Sequence, residues 1–179
     1  MLKTVEFGQS FEVGGCFRLE STFNRLIENM RIYLLDTNQS SQIINKNPKI
    51  LYKLTTLDRD NVLATSVIIC GELMYMAENS ARKNENTPIV KSFIENITVI
   101  GIERKVFDTY ASIKAKIFDK FAPKDKKQRR KYKFEKIGFP ENDLWIATTA
   151  IAYNATIVSI DKDFKRMLDV VEFQLECWT

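Results

Sequence analysis

The chain has 179 residues, 45% of them hydrophobic, and carries 27 basic against 23 acidic side chains for a formal net charge of +4. That apolar content supports one globular core and excludes a disordered chain, while so mild a charge permits a nucleic-acid partner without requiring one. Histidine is absent, which excludes triads with a histidine base, histidine-ligated zinc and histidine acid/base chemistry, and leaves any catalysis to carboxylates, a metal, or both. Cys16, Cys70 and Cys177 are odd in number and far apart, the pattern of reduced thiols in a cytoplasmic protein rather than of a disulfide framework. No apolar run nears the roughly 18 residues of a membrane span and no signal-peptide core follows Lys3, so no membrane association is expected.

Residues 1–29 read as an appended extension, with Gly8, Gly14 and Gly15 ahead of a candidate amphipathic helix through Phe17, Phe23, Leu26 and Ile27. Either Met30 is the true start or the segment docks onto the rest, and composition does not separate the two. Residues 30–179 are expected to form one domain. Ile32 to Leu35 is an unbroken apolar run, as in a strand covered on both faces of a parallel sheet, and it turns polar at Asp36. One or two short helices follow between 39 and 58, broken near Pro48, then a strand at Val62 to Thr65 and a helix capped by Ser66 and running to about Arg82. A helix is expected after Pro88, a strand at Ile97 to Ile100, and a long helix from about Glu103 into a basic segment. Pro140 marks a helix start reaching Tyr153, followed by a strand at Thr156 to Ile160, a short helix at Lys162 to Met167 and an edge strand near Val171 to Gln174. Strands alternating with helices predict a three-layer α/β/α domain around a mostly parallel sheet of four to five strands.

Four acids then fall on one edge of that sheet. Asp36 and Asp161 directly follow the first and fourth strands, at the carboxyl edge where open α/β folds place their ligands. Asp143 opens the helix that runs back to the fourth strand, so it starts from the same edge. Glu72 has Ile68, Ile69, Tyr75 and Met76 as helical neighbours, and an unpaired charge on an apolar face needs a cation or a partner. It lies about six residues, roughly 9 Å, inside its helix, and long helical side chains lean back toward the amino end. Taken singly, Asp36 reads equally as a turn residue, Asp143 as a helix-start acid and Asp161 as a loop acid. Together, four carboxylates repel one another unless a cation neutralises them, and Mg²⁺ or Mn²⁺ suits an all-oxygen site. Asp163 is expected to be solvated. Thr37, Asn38 and Ser159 are suited to hydrogen-bond the acids from behind.

The motifs Leu34-Leu35-Asp36-Thr37-Asn38, Gly71-Glu72-Leu73, Asn142-Asp143-Leu144-Trp145-Ile146-Ala147 and Val158-Ser159-Ile160-Asp161-Lys162-Asp163-Phe164 lie within 30–179. With the ending Leu175-Glu176-Cys177-Trp178, that stretch resembles a PIN-domain nuclease of the VapC toxin type. The resemblance implies a metal-dependent endoribonuclease with Asp36, Glu72, Asp143 and Asp161 as metal-binding catalytic acids, RNA as substrate, a water nucleophile, an inhibiting antitoxin and a homodimer as a candidate assembly. The antitoxin is expected to set an arginine or lysine against the four acids. Two departures stand out: the extension, and a segment around Phe121 to Lys136 that is longer and more basic than the family's linker.

Within that segment Lys126, Lys127, Arg129 and Arg130 are candidates to hold RNA, since a basic strip beside an acidic rim would offset its repulsion of phosphates. A solvated helix surface is the plainer reading. A haloacid-dehalogenase-type phosphatase is excluded because its D-x-D motif needs an acid where Asn38 stands. A receiver domain does not account for Glu72. A PIN nuclease of RNA processing, and an inactive cation- or RNA-binding module, remain as alternatives.

Overall fold

The computed structural model describes residues 31–179, so the expectations for the extension and for Cys16 lie outside the described residues. A five-stranded sheet is built from β1 (Ile32–Leu35), β2 (Val62–Ser66), β3 (Thr98–Ile100), β4 (Thr156–Val158) and β5 (Gln174–Glu176), in the order β3-β2-β1-β4-β5. Every pairing is parallel, with Leu34 opposite Ala64 on one side and Ile157 on the other. The sheet is therefore wholly parallel, as expected for strands joined by helical crossovers. Strand order reverses between β1 and β4, and the carboxyl ends of those two strands frame the crevice in which such sheets bind ligands.

The helices are α1 (Thr37–Ile44), α2 (Pro48–Thr55), α3 (Val67–Glu78), α4 (Lys83–Glu95), α5 (Arg104–Phe121), α6 (Lys126–Lys131), α7 (Glu141–Ala152) and α8 (Lys162–Met167), with a 3-10 turn at Phe134–Ile137. They cover both faces. Leu34, Ala64 and Ile157 point into the larger core with Ile69 and Leu73 of α3, Ile113 and Ile117 of α5, Leu144 of α7 and Phe164 of α8. Tyr33, Leu35 and Val158 point the other way, against Ile50 of α2 and Trp178 near the carboxyl terminus. This alternation along β1 explains the unbroken apolar run, because each successive side chain enters a different buried layer.

Several boundaries differ from the sequence reading, and the helix expected to reach about Arg82 ends at Glu78, with Asn79 as its cap. The helix expected after Pro88 starts earlier, at Lys83, with Pro88 inside it. The turn ahead of the proline is closed by the Arg82 carbonyl accepting from Glu85 and Asn86 at 3.1 and 2.9 Å, and Pro88, which has no amide hydrogen to donate, follows that turn. The long helix stops at Phe121, because Ala122 takes an extended conformation before Pro123, and the basic segment forms its own helix capped by Asp125. β4 ends at Val158 rather than Ile160. The edge strand begins at Gln174, where pairing with Thr156 starts, rather than at Val171.

Candidate active site

Asp36 caps α1 at the end of β1, and its Oδ1 accepts from the Gln39 amide at 2.6 Å. It is only 4% exposed. Burial raises its pKa above the ordinary carboxylate value; the Gln39 amide and the Ser159 hydroxyl oppose that rise, and the charge of Asp161 adds to it. Ser159 Oγ also accepts from the Asp161 amide at 2.9 Å, so one hydroxyl touches the carboxylate after β1 and the backbone after β4. Asp161 in turn caps α8, accepting from the Asp163 amide at 2.9 Å.

Glu72 reaches this rim from the second turn of α3. Thr37 Oγ1 donates to its Oε2, and Asn142 Nδ2 donates to its Oε1 at 2.5 Å. The glutamate is thus held between the residue after Asp36 and the residue before Asp143. The face around Glu72 is less buried than its apolar neighbours predict: Ile69 is buried, but Tyr75 and Met76 are 70% and 52% exposed. Two hydrogen-bond donors, rather than an apolar wall, fix its carboxylate.

Asp143 sits in the first turn of α7, where the positive helix end favours an acid. Oxygens of Asp143, Asp161 and Asp163 lie within 4.8 Å of one another, and all three residues are half-buried. The Asp143 carboxyl is pushed up to about 7, first by burial and then by the charges of Asp161, Asp163, Glu72 and Asp36. The four expected acids are therefore close enough to act on one another, with Asp163 as a fifth.

One expectation is corrected here. Asp163 is not a solvated acid apart from the rim; it stands two residues after Asp161 at the start of α8, and both carboxylates face Asp143. A cation that the sequence reading did not single out also has a fixed place at the rim: Arg166 Nη1 lies 2.7 Å from Asp163 Oδ1. The three-residue spacing of Asp163 and Arg166 within a helix was a readable signal for that pair. Asn142 was missed as well, and only its position beside Asp143 hints at it. Asn38 is exposed and approaches Asp36 with its backbone amide, unlike Thr37 and Ser159, whose hydroxyls contact the acids.

The basic strip is arranged differently. No residue of α6 is buried, and Lys126, Lys127 and Arg130 are exposed. Arg129 instead turns back to α5, with Nη2 3.0 Å from Asp119 Oδ1 and its guanidinium 4.9 Å from the Phe118 ring. Phe134 packs against the larger core beneath Lys114.

The PIN domain family profile matches residues 33–169. The chain is 32% identical over 149 residues to Ribonuclease VapC2 of Rickettsia felis, covering 82% of this chain and 98% of that one. It is 29% identical over 150 residues to Ribonuclease VapC1 of Haemophilus influenzae, covering 83% and 98%. Among solved structures, VapBC2 from Rickettsia felis bound to a promoter DNA fragment is similar with a TM-score of 0.66 at 29% identity, covering 83% of this chain and 99% of that one. VapBC-1 from nontypeable Haemophilus influenzae shares the fold, with a TM-score of 0.64 at 23% identity over 82% and 98% of the two chains. PIN nucleases depend on divalent metal, and the all-oxygen, charge-crowded donor set at this rim fits such an ion. The five-stranded parallel sheet, the family match over residues 33–169 and the similarity to curated ribonucleases agree: the chain belongs to the PIN-domain family and, within it, to the VapC ribonucleases.

Proposed function

We propose that residues 30–179 form a PIN domain that hydrolyses RNA phosphodiester bonds with Mg²⁺ or Mn²⁺, as the toxin of a toxin–antitoxin pair. The observation that carries this reading is the convergence of acids at the carboxyl edge of the sheet: oxygens of Asp143, Asp161 and Asp163 lie within 4.8 Å of one another, and Glu72 is hydrogen-bonded between Thr37, next to Asp36, and Asn142, next to Asp143. Asp36, Glu72, Asp143 and Asp161 are the residues assigned to hold the ion, and Asp163 joins them by its proximity. When bound, the cation supplies positive charge against the phosphate oxygens and acidifies a water at the site. The protein's own part is orientation. Thr37 and Asn142 fix both oxygens of Glu72, Ser159 and the Gln39 amide fix Asp36, and the Asp163 amide fixes Asp161. Carboxylates held in this way need little rearrangement as charge develops on the scissile phosphate.

The similar structures are VapBC complexes, which supports an antitoxin as partner here. Val67, Tyr75 and Met76 of α3 are 41%, 70% and 52% exposed on the helix that carries Glu72, apolar surface that a partner segment could cover. An arginine or lysine from that segment would answer the acids as the cation does. Free thiols at Cys70 and Cys177, and the lack among the described residues of any helix long and apolar enough to cross a membrane, suit a cytoplasmic protein. The test is RNA cleavage by the purified chain in Mg²⁺ or Mn²⁺ and in excess chelator. Cleavage that stops with chelator and returns with added ion is expected; cleavage undiminished by chelator would overturn the proposal.

A further inference from the structure

Arg166 is used more fully than a surface cation. Its Nη1 donates to Asp163 Oδ1 at 2.7 Å and to the Gly138 carbonyl at 3.4 Å, and its Nη2 donates to the Ile137 carbonyl at 3.2 Å. The guanidinium also lies 4.2 Å from the centre of the Phe139 ring. A planar fork can meet a carboxylate, two carbonyls and an aromatic face at once, which an ammonium cannot. The partners are not scattered. Ile137, Gly138 and Phe139 form the entry to α7, which carries Asp143, and Gly138 turns the chain there with a left-handed φ of +82°. Asp163 and Arg166 belong to α8, whose cap is Asp161. One side chain therefore spans the two segments that supply the three clustered acids.

An isolated three-residue-spaced pair on an exposed helix would do little. Here the two carbonyl bonds fix the guanidinium independently of Asp163, so it serves as a fixed post against which that carboxylate is aligned. Asp163 is correspondingly confined, with its side chain 24% exposed. We propose that Arg166 is a positioning residue that holds the Asp163 carboxylate toward Asp143 and Asp161 and locks the entry of α7 to α8, making Asp163 a working oxygen donor of the cation site. This rests on the reading of the rim as a divalent-cation site. Arg166 acts through Asp163 and through backbone, and touches no substrate.

The experiment titrates the full chain with MnCl₂ and reads free Mn²⁺ by electron paramagnetic resonance, for wild type, Arg166→Gln, Arg166→Lys, Asp163→Asn and the Arg166→Gln/Asp163→Asn double variant. Arg166→Gln is expected to weaken Mn²⁺ binding roughly tenfold or more, the range for residues that orient ligands. Arg166→Lys should recover part of the loss, and the double variant should be little worse than Asp163→Asn alone. RNA cleavage lost by Arg166→Gln at low Mn²⁺ should return at high Mn²⁺. Tighter binding by Arg166→Gln would overturn the inference, since Arg166 would then be a competitor for the acids. So would additive losses in the double variant. Should Arg166→Gln fail to fold, Asp163→Asn decides alone: Mn²⁺ affinity equal to wild type leaves Arg166 no ligand to position. Absence of Mn²⁺ binding by the wild type itself would instead remove the cation-site reading.

Discussion

The acidic rim and the basic strip differ in what holds their charges. At the rim, Asp36, Glu72, Asp161 and Asp163 each accept a hydrogen bond from a named neighbour, and their spacing is set by strand ends and helix starts. Along α6, the lysines stand in solvent and Arg129 alone is tied, to Asp119. Charges held by backbone topology can do chemistry that depends on distances; charges on long solvated stems can attract a polyanion but cannot place it. The rim is accordingly the part of the molecule where single substitutions should act strongly, and the strip is where they should act weakly and in proportion to charge.

The largest effect tests that division at Asp36. Asp36→Asn should lower RNA cleavage at least about 100-fold, or ~3 kcal/mol in the barrier, while the circular dichroism spectrum and thermal transition show the fold retained. A neutral amide is a poor ligand for a hard ion. Cleavage within a few fold of wild type would place the chemistry elsewhere.

A second, smaller effect concerns stability. The Asp143 carboxyl is raised to about 7 from 3.8, so the metal-free fold favours its protonated form. With the folded pKa above the unfolded one, the penalty of ionising it is absent below pH 4 and grows as pH rises to about 7, where it is complete. Solvent screening of this half-buried group limits the penalty to about 1–2 kcal/mol. In chelator, the melting temperature of wild type should therefore fall between about pH 4 and 7, apart from other titrations, and Asp143→Asn should flatten that fall. Added Mn²⁺ should raise the melting temperature of wild type at pH 8 more than that of Asp143→Asn. An identical pH profile for the two proteins in chelator would show that neither burial nor the neighbouring charges raise the Asp143 carboxyl.

The smallest effects belong to the strip. Replacing Lys126, Lys127 and Arg130 by glutamine should weaken binding of single-stranded RNA and reduce its salt slope by about 0.7 for each phosphate that is no longer neutralised. Arg129→Gln should behave otherwise, loosening the α5–α6 packing at Phe118 and Asp119 with little change in slope. Equal RNA affinity and an unchanged slope in the triple variant would leave α6 as a solvated helix.

The same contrast governs what could be read from sequence. Asp36 was legible because a buried parallel strand is an unbroken apolar run, so its end is marked, whereas Asp161 was placed on the right edge although β4 stops three residues before it. Asp143 followed from the direction a crossover helix must take. Glu72 was placed at the rim, although its neighbours Tyr75 and Met76 proved exposed, because helix length alone carries a side chain there. Asn142 was not legible, and of Arg166 only the pairing with Asp163 was, since a hydrogen bond across 70 residues or a guanidinium shared by α8 and the turn before α7 depends on packing that no local pattern encodes. The overextension of the long helix has a local cause. Pro123 and the capping Asp125 mark the break, and the run of lysines and arginines that follows masks it.

The most direct test of the central claim is the chemistry of the cut ends. If the carboxylate rim holds a divalent ion and water attacks the phosphodiester, purified protein with Mg²⁺ or Mn²⁺ should leave 5′-phosphate and 3′-hydroxyl termini on a single defined RNA, read by mass spectrometry of the fragments. Fragments ending in a 2′,3′-cyclic phosphate, formed equally well in chelator, would contradict the account by assigning the attack to the RNA's own 2′-hydroxyl with no role for the acids.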